Sequence, residues 1–255
     1  MPTAAPNAPP RIFSPARRAA SFQRAVAHQK RGDAADHLLL HMCEDVKERL
    51  SFMQFQPPTA IVIGDPAGLL AEELRLAGTQ VAAIASGVWH GDEPLTTPAA
   101  DLILCDSSLA TINDLPGALL HLRQVLRPGG LLIASIIGAG SLPRLRSAML
   151  AAEPDRPHAR IHPQIDNRTA SALLQRAGFA RQVVDTNTLT VRYAQLSSLV
   201  ADLRDQGLGS VLASRPPALS RTAYRRTQEA FAALADDDGR VSERFEFVTL
   251  TSWRD

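Results

Sequence analysis

Apolar positions along the chain fall into two alternating rhythms: short unbroken runs of the kind found in buried strands, and stretches repeating every three to four residues. Ile61-Val62-Ile63, following Pro57-Pro58, predicts a buried strand. Gly64 to Gly68 then reads as a tight turn, and Leu69 to Leu76 as a helix ended by Gly78. Gln80 to Ala85 and Asp101 to Asp106 are the next strands, followed by a helix over Leu115 to Leu126 with Asn113 or Asp114 as its cap and Pro116 in its first turn. Arg127-Pro128-Gly129-Gly130 stops that helix, and LLIASII opens another buried strand. This is the order of a doubly wound α/β domain.

The rest of the chain extends the pattern. Helices are expected over 141–152 and over Asn167 to Ala177, the second capped by Asn167 and ended by Gly178. Phe179 to Asp185 and Thr188 to Tyr193 read as two strands, and Ser242 to Trp253 as a last alternating one. Between them stand two amphipathic helices, Leu196 to Gln206 and Ser220 to Ala235, separated by Gly207, Gly209 and Pro216-Pro217. Residues 194–240 are thus a helical cap inserted before the final strand. Upstream, 1–10 reads as a disordered tail and 11–56 as a basic helical arm. Its second helix, Ala34 to Phe52, puts Leu38, Leu39, Met42, Val46 and Leu50 on one face. Residues 57–255 form the main domain. The segment between Ala85 and Asp101 is too short for a helix, an edge strand and a return loop, so the sheet is expected to lack one edge strand.

Composition narrows the function classes. With 255 residues and 45% hydrophobic content the chain can bury one large core, and a formal charge of +1 gives no electrostatic case for nucleic acid. No apolar run is long enough to span a membrane, and no secretory leader is evident, so a cytoplasmic protein is expected. Lys30 and Lys47 are the only lysines, a bias that points to a GC-rich bacterial genome. Cys43 and Cys105 read as buried free thiols. The pairs His37/His41 and His158/His162 have a metal-binding helical spacing, but nothing nearby completes a site, and no metal is expected.

The turn after the first strand carries the chemistry. Glycines let a backbone approach a ligand, and a helix start offers free N–H groups. Here the turn reads G-D-P-A-G, and Pro66 has neither an N–H nor a free φ. From the residues alone, Gly64 and Gly68 make either a ligand cradle or a plain βα turn. The carboxylate that usually follows the second strand and takes ribose hydroxyls is replaced by Ala85, Ser86 and Gly87. Losing such a charged hydrogen bond, worth about 1.5–3 kcal/mol, weakens binding roughly 10- to 100-fold. A nicotinamide dehydrogenase fits poorly, because its fingerprint and acidic residue are both missing.

Several stretches together resemble one family: Ile12-Phe13, the turn at Gly64 to Gly68, NDLPGALLHLRQVLRPGGLLIAS at 113–135, GAGSLPRLR at 138–146, LLQRAGF at 173–179, VVDTNTLTVRY at 183–193 and DLRDQG at 202–207. They resemble the class I S-adenosylmethionine-dependent methyltransferases, within the group holding malonyl-[acyl-carrier protein] O-methyltransferase and a related mitochondrial complex I assembly factor. The resemblance implies a Rossmann-like sheet with helices on both faces, S-adenosyl-L-methionine as cofactor, and an acyl-carrier or protein substrate. It implies a cofactor-binding turn of Gly64, Asp65, Pro66 and Gly68, with Gly64 and Asp65 near the methionine part, Ser86 near the ribose, and Asp106, Ser107 and Leu109 near the adenine and the methyl. Arg144 and Arg146 would hold an acidic substrate group. Departures fall where the cofactor would lie: Val62 and Pro66 replace an acidic residue and a glycine, and Ala110-Thr111 a His-Trp pair; in the substrate-side element Gly140 and Arg144 replace two acids, while Arg146 is retained. Two expectations follow. Either the chain transfers methyl to a carboxylate or other nucleophile, or it is a catalytically inactive binding or assembly protein on the same fold.

Overall fold

The computed structural model describes residues 11–155 and 157–255; the expected disordered tail, 1–10, lies outside them. The unbroken apolar runs become the strands that are buried on both faces, as a parallel sheet covered by helices requires. These are β1 (Thr59–Ile63), β3 (Ala100–Cys105) and β4 (Leu126–Ile137). With β2 (Gln80–Ile84), β5 (Ala180–Tyr193) and β6 (Val241–Trp253) they form a mixed six-stranded sheet of order β2-β1-β3-β4-β6-β5. The first four strands are parallel, and β6 runs antiparallel between β4 and β5. β2 is the edge. Among the described residues no strand lies beyond it, and no helix stands between Ile84 and Ala100, as the short segment predicts.

Alternation along the strands sends side chains to two cores. Ile61, Ile103 and Leu132 pack against α4 (Leu115–Val125) and α6 (Asn167–Arg176). Val62, Leu102 and Ile133 face the other way, against α2 (His37–Phe52) and α3 (Leu69–Leu76). A third cluster joins α2 to α5 (Pro143–Ala152), α7 (Leu196–Asp205) and α8 (Arg221–Ala232) around Phe231, Phe245 and Phe247. The inserted α7 and α8 therefore share a core with the sheet's C-terminal end.

Three expectations need correction. β5 is one strand of 14 residues, not two, because Thr186 and Asn187 stay in register with Val248 and Phe247 of β6. β4 begins at Leu126, five residues before LLIASII, since the backbone at Gly129 and Gly130 pairs with Arg254. α6 is capped by the Asp166 carboxylate, which accepts from Thr169 N at 2.7 Å. Asn167 donates instead to the Val184 carbonyl.

The N-terminal arm is fastened by residues distant in sequence. Asn113 Oδ1 accepts from the backbone N–H groups of Ile12 (2.9 Å) and Phe13 (2.8 Å), while its Nδ2 donates to the Phe13 carbonyl. Ser14 N donates to the Val211 carbonyl, and Arg17 of α1 (Pro15–Gln29) donates to the carbonyls of Leu212 and Ser210. The arm is thereby strapped to both the sheet domain and the loop after α7. Replacing Asn113 by Ala should lower stability by about 1–3 kcal/mol and expose the chain before α1 to protease. An unchanged urea midpoint and digestion pattern would count against this role.

Candidate functional site

The turn from Gly64 to Gly68 is filled by the protein's own carboxylates. Gly64 sits at φ 94°, and a Cβ placed there would lie 2.0 Å from Asp106 Oδ1, so only glycine fits. Asp106, at the C-terminal end of β3, accepts from Asp65 N (3.1 Å) and Ser108 N (2.9 Å), the second capping a 3-10 turn over Ser107–Thr111. Asp65 adopts φ 63°, a left-handed conformation that Asp tolerates better than most residues, and folds its side chain over the start of α3. There Oδ2 accepts from Ala71 N at 2.9 Å, and the N–H groups of Leu70, Leu69 and Gly68 also face the carboxylate. Burial raises the pKa of both acids, while these N–H groups pull the other way.

Helix α1 covers the neighbouring strand ends. Its Ala19 backbone lies against Gly87, where a Cβ would come within 2.5 Å of Ala19 N. Ser86 is buried just behind it. Arg18, 5% exposed, reaches in from α1 to Thr111 Oγ1 at 2.9 Å and to the Ser108 carbonyl at 3.4 Å. Its other partners are the Trp89 carbonyl (3.5 Å) and His90 Nδ1 (3.4 Å). Nothing in the basic run of the arm distinguishes Arg18 from its neighbours, so only its packing reveals it.

Below α1 lies a cavity of about 290 Å³. Pro66, Ser86, Asp106 and Ser107 line its inner end, with apolar walls from α2, α5 and α7. Arg160, His162, Gln164 and Arg204 also line it. Of the expected cofactor residues, the structure brings Pro66, Ser86, Asp106 and Ser107 to the cavity. Gly64, Asp65 and Gly68 stay in the turn behind it, and Leu109 is buried in the core. Arg144 and Arg146 are on the exposed face of α5, outside the lining. Arg146 donates to Gln164 Oε1 at 2.8 Å, so it touches the cavity's edge through a partner.

The acids missing from the segment before α5 are supplied by β6. Glu246 fills the space that a side chain at Gly140 would need and accepts from Gly140 N at 3.0 Å. Glu243, fully buried, accepts from Arg144 N and Leu145 N at the start of α5. Between them Leu142 is held at φ 58°, a strained value for a large side chain, and presents itself to the cavity.

The histidine pairs are spent on local contacts. His41 Nε2 meets Asn187 Oδ1, His158 lies beside Glu153, and 158–162 is not helical. Among the described residues no group of three metal-ligating side chains forms. His162 Nε2 accepts from Val211 N at 2.7 Å, which requires the neutral ring. Burial, with Arg17 adding to it, pushes its pKa down to about 4. Both cysteines are free and buried, and burial raises the Cys43 thiol to about 11.

No family model matches the chain. The arginine-hydroxylase NDUFAF5, mitochondrial, of Danio rerio is 30% identical over 167 residues, covering 63% of this chain and 51% of that protein. The malonyl-[acyl-carrier protein] O-methyltransferase of Xylella fastidiosa (strain M23) is 31% identical over 161 residues, 63% of this chain and 54% of that protein. A protein of the same name from Gallionella capsiferriformans (strain ES-2) is 26% identical over 252 residues, covering 87% of this chain and 86% of its own length. The chain spans about half the length of the curated relatives it matches first.

Two outcomes test this geometry. Gly64→Ala should destabilise by roughly 1–3 kcal/mol from its φ alone, and more from displacing Asp106. In a double-mutant cycle with Asp106→Ala the double variant should cost less than the sum of the two single costs, whereas strict additivity would place the carboxylate elsewhere. For His162, the unfolded ring takes up its proton near 6.5 and the folded ring only near 4, so its contribution is complete above pH 6.5 and is lost as pH falls toward 4. The stability gap between wild type and His162→Gln should therefore narrow on acidification. A gap that stays constant from pH 7 to 4 would rule out a neutral, buried His162.

Proposed function

We propose that this relative of the class I S-adenosylmethionine-dependent methyltransferases works by binding a ligand in its cavity, and has closed the turn at which its relatives hold their cofactor. The observation that carries this reading is the pair of carboxylates at the turn: Asp106 accepts from Asp65 N within it, and Asp65 accepts from Ala71 N in the first turn of α3. A cofactor carboxylate arriving there would find the donors engaged and two acids in its way. Pro66 offers no N–H, and the position beside Ser86 is covered where Ala19 meets Gly87. The residues present do not fit S-adenosylmethionine held in the family's manner.

A second reading is favoured by one observation: the cavity reaches Pro66, Ser86, Asp106 and Ser107, the strand ends at which α/β folds bind ligands. On that reading α1 swings aside, the cofactor lies over these residues, and a carboxylate or other nucleophile on an acyl carrier or a protein accepts the methyl. The relatives' names cover both methyl transfer and arginine hydroxylation. Kinship alone therefore fixes no reaction. Partners of the 194–240 cap follow the same division: an acyl-carrier protein on the second reading, an assembly partner on the first. Among the described residues no helix is long and apolar enough to cross a membrane.

Calorimetric titration with S-adenosylmethionine and S-adenosylhomocysteine, after checking for ligand carried through purification, separates the two. The binding reading expects no heat and no thermal stabilisation at millimolar ligand. Micromolar binding of either compound would replace it with the methyl-transfer reading.

A further inference from the structure

We propose that the cavity binds a linear aliphatic carboxylate, with its head group paired to the Arg18 guanidinium and its chain lying along the apolar walls. The inference rests on the reading of the cavity as a ligand site, and it does not depend on how the Gly64 turn is used. Arg18 lines the cavity and is 5% exposed, yet among the described residues it makes no salt bridge. Its partners are a hydroxyl, two carbonyls and an imidazole nitrogen, and three of these four contacts are 3.4 Å or longer. Residues 1–10, outside the described part, contain no acid that could complete the pair.

A guanidinium has five N–H donors, and taking one out of water without an anion is costly. Asp106, the acid whose charge acts on it, is engaged by Asp65 N and Ser108 N. One planar carboxylate could take two guanidinium N–H groups in parallel.

The remaining walls select the other end of the ligand. Leu38, Met42, Leu142, Leu145, Leu203 and Phe245 line the cavity from four elements and the segment before α5. The cavity, about 290 Å³, has room for an aliphatic chain of about eight to ten carbons with its carboxylate.

The test compares octanoate and decanoate with their methyl esters, by calorimetry on the full chain and on Arg18→Gln and Arg18→Lys. The esters keep the chain and remove the charge. On wild type the acids should bind roughly tenfold or more tightly than the esters, the factor expected of a charged hydrogen bond. Arg18→Gln should bring the acids to the level of the esters and leave the esters unchanged, while Arg18→Lys retains part of the preference. Equal binding of acid and ester to wild type, or no binding of either at millimolar concentration, overturns the proposal without any variant having to fold. S-adenosylhomocysteine titrated alongside keeps the readings apart: its tight binding would sink the closed turn, and a missing acid preference would sink the Arg18 site.

Discussion

The C-terminal edge of this sheet is organised by a carboxylate that has been given a permanent place inside the protein. Asp106 occupies the hollow under Gly64, and that one placement fixes several others. Gly64 cannot carry a side chain, Asp65 must turn left-handed to present its N–H, and its own carboxylate then falls over the start of α3. A helix start with its N–H groups facing a carboxylate is electrostatically satisfied. The fold retains the architecture of an anion site while meeting its demand internally.

With the turn closed, the arm and the cap define what space remains. α1 lies over Gly87 and brings Arg18 to the strand ends, while the loop after α7 grips Ile12, Ser14 and Arg17. β6 contributes from the opposite side, with Glu243 and Glu246 settling the segment that leads into α5. The cavity is therefore bounded by elements from both ends of the chain, and its walls are largely apolar because those elements bury hydrophobic stripes there.

Much of this was legible from the sequence, because strands β1 to β4 and helix α3 announce themselves by unbroken apolar runs and glycine stops. The missing edge strand could be read from chain length alone. Legibility failed where backbone continuity was decided by a partner: Thr186-Asn187 looked like a break until β6 held it in register. It failed differently at the site. Pro66 marked the turn as altered, but the compensating acid, Asp106, lies 41 residues from the amide it binds, and Arg18 lies 93 residues from Thr111. Pairings of that span have no local signature. Arg144 and Arg146 stood out by motif, yet exposure on α5 separates them from the cavity, whereas Arg18 was one arginine in a basic run.

The position of β6 also bears on how the molecule assembles. It is the last strand in the chain, yet it sits between β4 and β5, so neither can complete its hydrogen bonding before the C-terminal segment arrives. The arm waits similarly, since Arg17 bonds to carbonyls 193 and 195 residues downstream. Such distant closures are slow and leave apolar surface uncovered in the interim. Until β6 is inserted, α1 and the open sides of β4 and β5 are thus exposed together.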